Sequence, residues 1–77
     1  MTIYGEITKA FIDLPIGARF TRNELMELAK VPTDIPTRSL ASGIISIQVK
    51  MDRAIQDGKK GRYVIYKKLA NPKGVTQ

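Results

Sequence analysis

The 77-residue chain reads as a mainly α domain with a small β component: three helices and a short β-strand pair or hairpin. Three observations predict it. Apolar residues recur at helical spacing in three stretches, each opened by a capping residue. Prolines and glycines punctuate the chain between those stretches. One late stretch, RYVIYKKL, is rich in β-branched and aromatic residues, as strands are.

The first helix is carried by Ile3, Ile7, Ala10, Phe11 and Leu14, with Thr2 as N-cap and Pro15 as the stop. Gly5 weakens its first turn by roughly 1 kcal/mol relative to alanine. A short strand around Phe20 follows the PIG turn. The second helix has the strongest local signal in the chain. Thr21 and Glu24 have capping-box spacing, and Phe20 and Leu25 occupy the hydrophobic-staple positions. Its buried stripe is expected to be Leu25, Leu28 and Ala29. It should end near Lys30, because Pro32 disfavours helical geometry at Val31.

VPTDIP is a connector, and Thr37 is the expected cap of a third helix. Leu40, Ile44, Ile47, Met51 and Ala54 then repeat with helical period as far as Gly58, a natural residue just past a helix end. Periodicity therefore favours a helix from about Arg38 to Asp57. The rival reading ends it near Lys50 and makes residues 53–56 one arm of a hairpin turning through DGKKG. Gly43 borders the apolar stripe and suggests close packing against another helix. Ile45 and Val49 fall outside the stripe, with three roles open: contact with thymine methyls, packing under the last strand, or a dimer contact. Residues 1–69 are expected to form one domain, and residues 70–77 a flexible tail.

Composition narrows the chemistry. The chain has no cysteine and no histidine, which removes disulfides, Cys/His zinc sites, thiol nucleophiles and imidazole catalysis. Its acidic residues are scattered rather than paired, so neither an enzyme nor a cofactor site is expected. No apolar run approaches membrane-spanning length and the start lacks a signal-peptide pattern, which points to a cytoplasmic protein without membrane contact. Charge is lopsided. Residues 1–36 carry four Lys/Arg against five Asp/Glu, net −1, whereas residues 37–77 carry nine against two, net +7. A cationic half on a small domain suggests nucleic acid as partner.

Projected as a helix, the third segment sets Ser39, Ser42, Ser46, Lys50 and Arg53 opposite the apolar stripe, with Arg38 beside them. Small hydroxyl side chains followed by cations let a helix come close to DNA, where serines and cations can meet phosphates or base edges. An ordinary solvated helix face has the same composition.

The stretches ARFTRNELMELAK, PTRSLASGIISIQVKMDRAIQDG and KKGRYVIYKK, in that order, resemble a winged helix-turn-helix domain over about residues 2–69. The resemblance implies a third helix in the major groove of double-stranded DNA, through Thr37, Arg38, Ser39, Ser42 and Ser46. It implies Lys50 and Arg53 on the backbone, and Lys59, Lys60 and Arg62 as wing cations. A third helix reaching Gly58 would cost the wing its first strand and shrink it to KKGR. The implied role is a transcriptional regulator of phage or mobile-element type, with a homodimer open.

Two other readings stand beside it. One is a winged-helix protein that binds a protein partner, such as an inhibitor of a larger machine. The other is RNA or single-stranded nucleic acid held on the last strand, where KGRYVIY partly matches an RNA-binding signature but lacks one residue and the aromatic Arg62 replaces. GKKGR does not have the spacing of a phosphate-binding P-loop.

Overall fold

The computed structural model describes residues 2–72. Three helices and three strands follow in the order α1 (Ile3–Asp13), β1 (Arg19–Thr21), α2 (Arg22–Ala29), α3 (Ile35–Lys50), β2 (Ala54–Lys60) and β3 (Tyr63–Lys68). The strands form one antiparallel sheet with β3 central, in the order β1-β3-β2. This is the architecture of a three-helix winged helix-turn-helix, with a fuller sheet than a single strand pair.

Local signals set the first two helices. The Thr2 hydroxyl accepts from the Gly5 N–H at 3.0 Å, and Ile7, Ala10 and Phe11 turn inward. At the other end, α1 has no basic residue in its last turn. Lys68 of β3 brings a cation there instead: its Nζ donates to the carbonyls of Phe11, Ile12 and Leu14, and lies 5.1 Å from the Phe11 ring centroid. Burial holds this ammonium's pKa below the usual lysine value, and the nearby Asp13 carboxylate opposes that shift.

The α2 capping box forms as expected, with Thr21 Oγ1 accepting from the Glu24 N–H and Glu24 Oε1 accepting from the Thr21 N–H. Lys30 closes the helix in the left-handed region at φ 57. The buried stripe differs from expectation. Leu25, Met26 and Ala29 are buried, while Leu28 is 58% exposed. Leu28 stands about 200° around the helix from Met26, so a face centred on Leu25 and Met26 turns Leu28 to solvent.

The third helix is shifted at both ends. Its N-cap is Asp34 rather than Thr37: Asp34 Oδ1 accepts from the Thr37 N–H at 2.9 Å. Pro36 then falls in the first turn, where its missing N–H costs nothing. The helix stops at Lys50, not Asp57. Met51 is the C-cap, Asp52 turns left-handed at φ 60, and the Arg53 N–H returns to the Gln48 carbonyl. Beyond that, Ala54 to Lys60 pair with β3. The buried face is Thr37, Ala41, Ile44, Ile45 and Gln48, whereas Ile47 and Met51 from the expected stripe are 46% and 55% exposed. Ile45 is fully inside and Val49 packs against the core, so of their three open roles packing beneath the sheet is the one seen.

The wing is consequently whole. Its two-residue loop is Gly61–Arg62, with Lys60 paired to Tyr63, and Gly61 takes the positive φ such a loop demands at its first residue. Asp57 and Gly58 bulge from β2, two residues opposite the single Ile65. Phe20 of β1 joins wing to core, edge-on to Phe11 at 5.9 Å and stacked on Tyr66 at 5.7 Å. Of the expected tail, Ala70 to Pro72 are half-buried, and the Ala70 N–H donates to the Arg53 carbonyl. Residues 73–77 lie outside the described residues.

The Asp34 cap has a pH signature. Hydrogen bonds from the Thr37 side chain and backbone N–H, with the Arg38 charge a smaller influence, hold its carboxyl below the usual aspartate value against some desolvation. A depressed native pKa contributes stability above the unfolded value of 3.8 that is lost as pH falls through the native one. Thermal melts between about pH 5 and pH 2 should therefore show Asp34→Asn, which still caps but does not titrate, losing less stability on acidification than the parent chain. Parallel acid limbs would refute the assignment.

Candidate nucleic-acid interface

The solvent face of α3 consists of Ile35, Pro36, Ser39, Gly43, Ser46, Ile47 and Lys50. Ser39, Ser46 and Lys50 are thus exposed where the sequence put them. Thr37 is not. It is 4% exposed and engaged with Asp34, because the true helix start rotates it into the core, and it cannot meet a groove. Arg53 is also misplaced in the sequence reading. It lies past the end of α3, its Nη1 donates to Gln48 Oε1 at 3.4 Å, and its carbonyl accepts from the Leu69 and Ala70 N–H groups. It fastens the α3–β2 junction to the chain after β3 instead of extending the helix face.

Arg38 is half-buried beside Ser39. Ser42 is half-buried too, and its Oγ accepts from Arg22 Nη1 at 2.9 Å. Arg22 is a site residue that the sequence reading missed. A signal was present: a cation in the first position of a helix opposes the helix dipole, so its placement at the head of α2 needs another reason. Lys59, Lys60 and Arg62 are all exposed around the wing tip, next to a 47% exposed Tyr63.

Three shallow concavities run along α3. Arg22, Ile35, Arg38, Ser39 and Ser42 line the first, near its N-terminal end. Arg22, Ser42, Arg62, Tyr63 and Tyr66 line the second, where α3 faces the wing. Ser46, Val49, Lys50, Gln56 and Tyr66 line the third. No carboxylate lines any of them, whereas the concavity between α1 and α2 includes Glu6 and Asp13. Asp57, the acid at the base of the wing, is neutralised by Arg19, whose Nε lies 3.0 Å from Asp57 Oδ2. That pair is exposed and adds little stability, but it removes the local negative charge beside the wing. The α3–wing side is therefore a cationic strip with small hydroxyl side chains at its floor.

Gly43 packs against nothing: a Cβ built there would meet no atom within 4 Å. The expected helix–helix contact is absent. Among the described residues, no cluster of three His, Cys, Asp or Glu could hold a metal, and no helix is long and apolar enough to cross a membrane.

Compared with known proteins, the chain matches no family model, no curated protein and no solved structure at a significant level.

Proposed function

We propose that this protein is a non-enzymatic, winged-helix binder of double-stranded DNA that regulates transcription. On this reading α3 enters the major groove and the β2–β3 wing lies along the adjacent backbone. Fold alone does not carry function, so the argument rests on the surface. The observation that supports it best is the carboxylate-free strip along α3, flanked by Arg22, Arg38 and Lys50 and by the wing cations Lys59, Lys60 and Arg62. A strip of one sign along a protruding helix attracts a polyanion of matching width, and phosphate contacts would supply most of the affinity. Ser39, Ser46 and Ile47 are then placed to meet base edges, the isoleucine against thymine methyls.

The exposed Ile35, Ile47 and Met51 favour a second reading, a protein partner seated on α3. One titration separates the two. Duplex DNA, single-stranded DNA and RNA are each titrated by fluorescence anisotropy over a range of salt. Duplex binding should dominate and weaken steeply with salt. The slope should become shallower by about 1 for each of Lys59→Ala and Lys60→Ala. Absence of duplex binding at low salt would sink the DNA reading and promote the protein partner. A preference for single strands would move the site to the exposed Tyr63.

A further inference from the structure

Arg22 is the residue common to the first two concavities, although it belongs to α2 and not to the exposed helix. It is held on one side and unsatisfied on another. Nη1 is held by Ser42, and Nε is buried with no hydrogen-bond acceptor. Arg38 faces the same depression from α3, and its Nε is likewise buried with no acceptor. Neither guanidinium forms an ion pair among the described residues. Asp34 lies near enough to feel the Arg38 charge, but its carboxylate is committed to capping Thr37.

Two half-desolvated cations without a carboxylate therefore converge on a depression floored by Ser39 and Ser42. A guanidinium in this setting is screened less than an exposed lysine and gains more from an anion. Its planar fork matches a tetrahedral oxyanion with two parallel hydrogen bonds, while the Ser39 hydroxyl can donate to a remaining oxygen.

We infer that Arg22 and Arg38, with Ser39, form a preformed seat for one phosphate group. Ser42 acts as a positioning residue that holds Arg22 in place. The inference rests on the duplex reading in taking that phosphate to belong to a DNA strand. On this view Ser42 serves the interface through Arg22, not by touching DNA itself.

The seat can be tested apart from the DNA reading, using the full chain and two probes. Inorganic phosphate is titrated while the arginine Nε–H signals are followed by NMR, and a short duplex is titrated by anisotropy. Phosphate should shift the Arg22 and Arg38 signals and leave that of Arg62 in place. Duplex affinity should fall about tenfold or more in Arg22→Ala, the loss of one charge-assisted hydrogen bond, with a shallower salt slope. Ser42→Ala should weaken binding with the slope nearly unchanged, and Ser42→Thr, which keeps the acceptor, should restore it. Circular dichroism shows that each variant is folded before it is scored.

If Arg22→Ala and Arg38→Ala bind duplex like the parent while Lys59→Ala weakens it, the seat is overturned and the duplex reading stands. If the parent binds no duplex but phosphate still shifts both arginine signals, the seat stands with a phosphate source other than DNA. If neither probe has an effect, both proposals fall.

Discussion

Lys68→Met is expected to destabilise the fold by about 3 kcal/mol, the scale of removing one partner from a buried, charged hydrogen-bond set. In a chain of this length that lowers Tm by roughly 12–24 °C. The size of the effect follows from what the ammonium touches. It is inaccessible to solvent and donates to the carbonyls of Phe11, Ile12 and Leu14, gathered at the negative end of the α1 dipole. Methionine fills the volume but removes all three charge-assisted N–H donors at once, so the cost is polar rather than a cavity. Backbone pairing at the same residue ties the sheet to the loop after α1, through Lys68 N–H to the Ala18 carbonyl and Gly17 N–H to the Lys68 carbonyl. Lys67→Met is the control: Lys67 is exposed, and the change should stay within about 0.5 kcal/mol. Equal melting temperatures for the two variants would remove Lys68 from this role. The residue also bears on function. It counts toward the basic half of the sequence, yet its charge is spent inside the molecule and should not enter the salt dependence of binding.

Where the signal was local, the sequence told the structure well. The Thr21–Glu24 box, the Thr2 cap and the Pro15 stop each involve donors and acceptors within a few residues, and all lie where the pattern put them. The end of α3 was not local. Met51 and Ala54 continue the helical spacing of Leu40, Ile44 and Ile47 past the true end at Lys50 by coincidence of composition, and AIQDGKK has little β-branched content to announce a strand. Its strand character comes from pairing with β3, a partner whose position no window around residue 54 contains. The same shift explains Thr37 and Ile45. The buried face is turned toward Thr37, Ile45 and Gln48, while Ser39, Ser46 and Lys50 still fall on the exposed side, and Arg53 leaves the face because the helix ends before it. Arg22 was hidden for a different reason: its partner Ser42 is twenty residues away on another helix. The site is assembled by helix packing.

Gly43→Ala is expected to separate stability from binding, raising the first and lowering the second. Glycine inside a helix costs about 0.5–1 kcal/mol relative to alanine, so the variant should gain that much and melt several degrees higher. Nothing in the protein opposes the change, since the added methyl meets no atom within 4 Å. Internal packing therefore supplies no reason for glycine at the centre of the exposed face, between Ser39 and Ser46. The duplex reading supplies one. A helix with its side chains is about 10–12 Å across and the major groove about 12 Å wide, which leaves little slack at the point facing the floor. An added methyl there holds the helix away from the base edges, and duplex affinity should fall about tenfold, equivalent to 1.4 kcal/mol. Gly43→Leu should lose more, because leucine must also displace the groove floor. The opposite movement of two readouts, melting temperature up and affinity down, distinguishes this from any variant that merely loosens the fold. A more stable Gly43→Ala protein that binds duplex as tightly as its parent would show that α3 does not seat by this face. The groove-facing side would then have to be sought toward Ile47 and Met51, where the protein-partner reading already places its contact.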